Sequence, residues 1–372
     1  MSSEYDRDEQ VPPQWLNTGF FERVFQPKNN GEKMQIINIK VQPATKKGEH
    51  YASVMFRVKA TFTFAADCAA AQRPQSKSFI VKALPELEGE KQRLLEGSKL
   101  FETEIGIYTD VLPKLVEVLR LAGERIRFGA HCLHHALTPI KVLVFEDLTE
   151  IGYEMVRGRT LTLKEIKAGY RKLAKWHAAS YKLANDAMQP GWATKCRATY
   201  TEYFYNPQPH TWYGVCHGDV LANNLMFRHV PLTGELDDVL LVDYQLAYMG
   251  PLVNDVIYSY YMLYTPEQRA ENYEELFEHY FRHFVQTLEM LGYQTEALTF
   301  ECFQQQLKRQ KVLALFLLVS FLPIRHALLA GLIDRDHLMA TDDERRDLYY
   351  DKNYIAELHS ILPMYLKLGY LE

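Results

Sequence analysis

Apolar and polar side chains alternate twice near the start of the chain, from Met34 to Val41 and from Tyr51 to Phe64. In the second stretch Val54, Phe56, Val58, Ala60 and Phe62 fall on every second position, the period of a half-buried strand. The intervening Gln42 to His50 (QPATKKGEH) carries a Pro and a Gly, as a loop between paired strands does. A third strand is predicted from Ser78 to Leu84, ended by Pro85, and two shorter ones from Arg125 to His131 and Ile140 to Phe145. Arg93 to Leu121 reads as helical, broken near Pro113. After Asp147 the period becomes helical. Thr162 to Asn185 opens with Thr162 and Glu165 in a capping-box arrangement, and Pro266 to Leu291 and Phe300 to Leu322 follow. A strand-rich front, a helical back and a loop-rich stretch between them, Trp212 to Pro251, predict an α+β, two-lobed plan.

The strongest chemical signal lies in that loop-rich stretch. His217-Gly218-Asp219-Val220-Leu221-Ala222-Asn223-Asn224 is followed by the apolar strand Leu225 to Phe227, the turn Pro231 to Gly234 and Val239-Leu240-Leu241-Val242-Asp243. Phosphoryl transfer demands positioning more than covalent chemistry: a carboxylate to orient a hydroxyl and take its proton, and oxygen ligands for the metal on the phosphates. Asp219 suits the base. Asn224 and Asp243 suit the metal. Either half alone is an ordinary turn, and it is their combination that points to a kinase.

The N-terminal half offers an independent sign. Lys82 sits inside an apolar strand, on the face of Ile80 and Leu84, where a lysine needs a partner. Glu104 falls on the apolar stripe of the helix Lys99 to Leu112, with Leu100, Tyr108, Val111 and Leu112, whereas Glu102 falls on the solvated face. The two are expected to pair, as the phosphate-holding Lys and Glu of a kinase do. Glu146-Asp147-Leu148 stands where strands give way to helices, so the carbonyl of Glu146 and the amide of Leu148 are candidates for the adenine edge, with side chains incidental. The stretch Lys46 to Ser53 has no GxGxxG; it is either a phosphate-covering loop working through backbone amides and the Ser53 hydroxyl, or an ordinary hairpin. Trp176-His177 reads as core, and His217 as a brace for its loop. Tyr258 to Tyr264 (YSYYMLY) either lines a hydrophobic pocket or packs between helices.

Net charge is 42 − 47 = −5 with basic residues scattered, which argues against a nucleic-acid or anionic-membrane partner. Five widely spaced cysteines suggest neither a disulfide framework nor a zinc site. The longest apolar run, Val312 to Leu322, is shorter than the ~20 residues of a membrane span and reads as a buried core helix. With a polar start, a cytoplasmic protein is expected.

These motifs resemble the ecdysteroid kinase-like family, with its choline-kinase-like domain, and more broadly the aminoglycoside phosphotransferases. The resemblance runs from Pro13-Gln14-Trp15-Leu16-Asn17 through Gly48 to Ser53, Phe79 to Pro85, Phe101 to Pro113 and Phe145 to Leu148 to the two core motifs and Asp255. It departs at His50, Leu221 and Tyr244, where the family usually has Asn, Trp and Phe. The likeness implies a protein-kinase-like fold: an N-terminal nucleotide lobe over 1–145, a hinge over 146–149 and a helical lobe over 150–372. It also implies an ATP:alcohol phosphotransferase using ATP and Mg²⁺, with Asp219 as base, Asn224 and Asp243 on the metal, and Lys82 and Glu104 on the phosphates. The acceptor it implies is an ecdysteroid or a hydroxylated xenobiotic, steroid or phenolic. Only eleven residues separate Asp243 from Asp255 and no Ala-Pro-Glu follows, which argues against a protein kinase. The other reading is a catalytically inactive kinase fold that binds a hydrophobic ligand or nucleotide.

Overall fold

The computed structural model describes residues 11–25, 34–44, 53–64, 73–85, 95, 97–186, 210–331 and 346–371. The chain divides into two compact units. The first is Met1–Ile105 with Ala130–Gly152, and the second is Gly106–Gly129 with Tyr153–Glu372. The helical excursion 106–129 therefore belongs with the later helices, where the sequence places all of 1–145 in one lobe.

In the first unit the alternating pattern does what it predicts. Strands β1 (Met34–Pro43), β2 (Val54–Phe64), β3 (Gln75–Ala83), β4 (Cys132–Ala136) and β5 (Val142–Glu146) form one antiparallel sheet in the order β1-β2-β3-β5-β4. Phe56, Val58 and Ala60 of β2 and Val81 and Ala83 of β3 are fully buried on one face. Helix α1 (Thr18–Val24) adds Phe20 and Phe21 to that core, and the Phe21 ring lies 5.6 Å from Phe79. Asn17 caps α1 by accepting from the Phe20 amide at 3.1 Å, and Trp15 packs edge-on against Phe20. Each large apolar side chain so buried contributes about 1.5–3 kcal/mol. Helix α2 (Leu100–Gly106) belongs to the unit as far as Ile105.

Arg125 to His131 forms no strand; the ladder starts only at Cys132. Phe128 is buried there against Trp176, and its carbonyl accepts from the Leu241 amide at 2.7 Å.

The second unit is built around α4 (Leu163–Asn185), whose Tyr170, Leu173, Trp176, His177 and Ala178 are fully buried. Thr162 and Glu165 form the expected capping box. Helix α3 (Leu112–Leu121) precedes it in the chain. Two small sheets accompany it: β6 (Tyr153–Met155), β8 (Leu225–His229) and β9 (Leu236–Leu241), and the pair β7 (Tyr213–Cys216) with β10 (Tyr248–Pro251). Helices α5 (Val253–Leu263), α6 (Pro266–Met290), α7 (Phe300–Arg309), α8 (Lys311–Phe316), α9 (Leu322–Leu329) and α10 (Lys352–Lys367) follow.

The helix does not break near Pro113. A π-helical turn, Ile107–Val111, precedes α3, and the Leu112 amide reaches back to the Ile107 carbonyl. A proline has no N–H and crowds the carbonyl four residues back, so the widened turn lets Pro113 sit in the first turn of α3. The same device recurs at Leu317–Phe321 ahead of Pro323. The predicted helix Phe300 to Leu322 is accordingly several pieces. The window Lys311–Leu328 is long and apolar enough, by length and composition, to cross a membrane, and 39% of it is buried. The expectation of a buried core helix holds only on the face of Ala314, Leu317, Leu318 and Leu322; Val312 is 73% exposed and Phe316 50%.

Candidate active site

The loop between β7 and β8 is held from beneath by one carboxylate. Asp255, 1% exposed on α5, accepts from the His217 amide at 2.6 Å and the Gly218 amide at 2.9 Å. His177 Nε2 meets the same carboxylate at 3.0 Å, and its Nδ1 meets the Tyr280 hydroxyl at 2.7 Å. His177, Cys216 and Asp255 bring three buried ligand atoms within 4.8 Å of one another, a grouping the linear spacing does not reveal. Hydrogen bonding accounts for it, since Cys216 Sγ also donates to the Pro251 carbonyl at 3.3 Å. Gly218 adopts φ 83°, and a Cβ there would stand 2.0 Å from the Leu246 carbonyl oxygen. Only glycine fits.

His217 braces the loop as expected. Its Nδ1 accepts from the Asp219 amide at 3.3 Å, so Nε2 carries the proton donated to the Val242 carbonyl at 3.1 Å. Its ring and that of Trp176 both lie against Tyr244, with Trp176 stacked at 5.1 Å, and the Trp176 indole donates to Val215. The pair Trp176-His177 is thus core.

Asp219, Asn224 and Asp243 come together. Leu225 and Leu241 are directly paired in the β8–β9 ladder, so Asn224 and Asp243 flank the same end of that hairpin. The Val242 amide donates to the Asn224 carbonyl at 3.0 Å, which ties the two segments beside their functional residues. Asn224 Nδ2 donates to the Asp219 carbonyl and to Asp219 Oδ2, both at 2.9 Å. Asp243 sits at φ 64°, ψ 68°, a left-handed conformation that Asp tolerates better than most residues, and Gln245 donates to its Oδ2 at 3.3 Å. Burial raises the Asp219 carboxyl above its ordinary value and the Asp243 charge adds to this, against the Tyr258 and Asn224 donors and His217. With its amide nitrogen spent on Asp219, Asn224 offers a carbonyl oxygen, and Asp243 offers a carboxylate. Hard oxygen donors of this kind fit Mg²⁺.

Tyr258 is the residue that sequence reasoning missed. Its hydroxyl donates to Asp219 Oδ1 at 2.6 Å. Its neighbours Tyr260, Tyr261 and Tyr264 are buried in helix packing, so the tyrosine-rich stretch divides between core and site. The available signal was the three-residue spacing from Asp255, which puts both on one face of α5.

In the first unit Lys82 Nζ and Glu104 Oε2 form an ion pair at 2.6 Å, with side chains 4% and 2% exposed. Glu102 instead bridges to Lys141 at 2.9 Å near the surface. Glu146 ends β5 and Leu148 opens a short 3₁₀ turn, Leu148–Ile151. The side chain between them is not incidental: Asp147 accepts from Arg57 Nε at 2.6 Å, Ser78 Oγ at 2.7 Å and Thr149 Oγ1 at 2.7 Å. Burial pushes its carboxyl up, but Arg57, Ser78 and Thr149 outweigh this and hold it below its ordinary value. Ser53 is buried just before β2, while Lys46 to Ala52, with Gly48 and His50, lies outside the described residues.

Against known proteins, the model of the ecdysteroid kinase-like family matches residues 47–195 and 193–293. The chain belongs to the ecdysteroid kinase-like family. Its mixed α+β class, with an antiparallel sheet in the N-terminal region and a helical C-terminal region, agrees with the expected class. No curated protein matches it. Among solved structures it is similar to a choline/ethanolamine kinase family protein from Mesorhizobium loti, at 12% identity and TM-score 0.32, covering 82% of this chain and 89% of that one. It is also similar to an aminoglycoside phosphotransferase in complex with ADP and hygromycin B, at 10% identity and TM-score 0.32, covering 74% and 88%. An amicoumacin kinase in complex with AMP-PNP and Ca²⁺ is 12% identical with TM-score 0.30, covering 69% and 85%.

Proposed function

We propose that this ecdysteroid kinase-like protein is an ATP- and Mg²⁺-dependent kinase that phosphorylates a hydroxyl group of a small molecule, an ecdysteroid or a hydroxylated xenobiotic of steroid or phenolic type. The observation that carries this reading is the meeting of Asp219, Asn224 and Asp243 at one end of the β8–β9 hairpin. In it, Asp219 orients the incoming alcohol and takes its proton, and its burial among fixed donors means little reorganisation is needed when charge shifts. Asn224 and Asp243 would hold Mg²⁺, which when bound neutralises charge on the phosphates. Lys82, kept in place by Glu104, is assigned to the α- and β-phosphates, the backbone of Glu146 and Leu148 to the adenine, and Ser53 to the phosphate loop. Family membership supports the steroid class of acceptor. The free thiols of Cys132, Cys216 and Cys302 support a reducing, cytoplasmic setting.

Thermal melting with and without Mg²⁺-ATP tests the nucleotide half of this reading. A ligand at 100 times its Kd stabilises by about 2.7 kcal/mol, and Asp243→Ala should abolish the shift. A melting curve indifferent to Mg²⁺-ATP would contradict it.

A further inference from the structure

Helix α5 addresses the loop with two side chains three residues apart. Asp255 takes the His217 and Gly218 amides, and Tyr258 takes Asp219 itself. The Asp219 carboxylate is thereby divided. Oδ2 faces Asn224, one of the two proposed metal ligands, at 2.9 Å, and Oδ1 holds the Tyr258 phenol at 2.6 Å. An acceptor alcohol has to do to Asp219 what Tyr258 already does: donate an O–H to a carboxylate oxygen beside the metal ligands. The phenol is in the right protonation state for that part. Burial first, then the charge of Asp219, raise its ionisation well above the ordinary tyrosine value, so it is an O–H near neutral pH. Both residues are half-buried, not sealed. Two other tyrosines of the stretch point elsewhere: the Tyr264 hydroxyl donates to Tyr170 and that of Tyr260 meets Met364.

We propose that Tyr258 occupies the acceptor position and, when no small-molecule acceptor is bound, itself takes the γ-phosphoryl group of a nucleoside triphosphate. The inference rests on the phosphotransferase reading above. In this step a bond forms between Tyr258 Oη and the γ-phosphorus. The bond from that phosphorus to the oxygen bridging the β-phosphorus breaks, the phenol proton passes to Asp219 Oδ1, and the nucleoside diphosphate leaves. The product is a phosphate ester set beside Asp219 and in the field of Asp255, where like charges repel. The modified chain is therefore expected to lose turnover of alcohol acceptors.

The test incubates the full chain with Mg²⁺-ATP and no acceptor, then measures intact mass and maps the modified peptide. One phosphoryl group on Tyr258 is expected, absent in Asp219→Asn and in Tyr258→Phe, and slowed by a phenol or ecdysteroid that the protein phosphorylates. Unmodified Tyr258 in a protein that consumes ATP overturns the proposal and leaves the kinase reading standing, as does phosphate confined to other residues. No ATP consumption together with no Mg²⁺-ATP melting shift brings both down. A nucleotide-free control melts Tyr258→Phe, Asp219→Ala and the double variant. The double should lose no more than the worse single variant. Additive shifts mean that phenol and carboxylate do not meet, and overturn the proposal.

Discussion

Replacing Lys82 by Met, alone and together with Glu104→Leu, separates what the buried pair does for stability from what it does for chemistry. The ion pair spans 2.6 Å, with side chains only 4% and 2% exposed. Lys82→Met takes from the buried Glu104 carboxylate its cationic partner. Breaking a buried pair from one side costs about 3–5 kcal/mol, whereas exchanging both partners for apolar groups of similar volume is neutral or stabilising by about 1–4 kcal/mol. The single variant should therefore be much less stable and the double variant near wild type or above it. Because a two-unit chain need not unfold in one step, the readout is hydrogen exchange of the β3 amides in urea, which reports the first unit by itself. Mg²⁺-ATP stabilisation, by contrast, should be lost in both variants, since neither carries the cation assigned to the phosphates. A single variant costing less than about 1 kcal/mol would refute the buried pair. A double variant that still gains full stability from Mg²⁺-ATP would make the pair a structural element only.

Two further outcomes follow from local geometry. Gly218→Ala puts a Cβ 2.0 Å from the Leu246 carbonyl at a φ of 83°, so the loop must move; strain of about 1–3 kcal/mol should leave a folded protein with acceptor phosphorylation reduced by orders of magnitude, and unchanged turnover would show that the loop position is not critical. Glu165 is held to about 2, because burial pushes its carboxyl up but Arg159 and Thr162 together outweigh it. Its folded value lies below the ordinary 4.5, so its contribution to stability is complete above that value and disappears as pH falls toward 2. Unfolding midpoints measured from pH 6 down to pH 3 should fall less steeply in Glu165→Gln than in wild type, and parallel curves would contradict the assignment.

What the sequence makes legible is chemistry whose partners are close in the chain or forced by burial. Asp219 and Asn224 share one short loop, and Asp243 follows across a hairpin, so spacing alone brings them together. Lys82 and Glu104 are 22 residues apart, yet each stands on a buried face and needs the other. Asp147 escaped because its main partner, Arg57, is 90 residues away on a strand where an arginine at a partly exposed position raises no alarm. Tyr258 escaped because an aromatic residue within a run of tyrosines reads as packing; its partial exposure and the Asp219 partner of its hydroxyl distinguish it from the buried Tyr260 and Tyr261. The stretch from Arg125 alternates like a strand, but pairing depends on what lies alongside, which the pattern does not carry. The π turns before Pro113 and Pro323 are likewise invisible, since a proline in a helical pattern announces a disruption and not how the chain absorbs it.

The most direct measurement incubates the purified protein with γ-labelled ATP, Mg²⁺ and a panel of ecdysteroids, phenols, choline and aminoglycosides, wild type beside Asp219→Asn. Label should appear in a hydroxylated small molecule with the wild type and fall by orders of magnitude with the variant. Equal labelling by both proteins would remove Asp219 from the chemistry. A wild type that binds Mg²⁺-ATP yet labels nothing in the panel would contradict transfer to an acceptor of these classes.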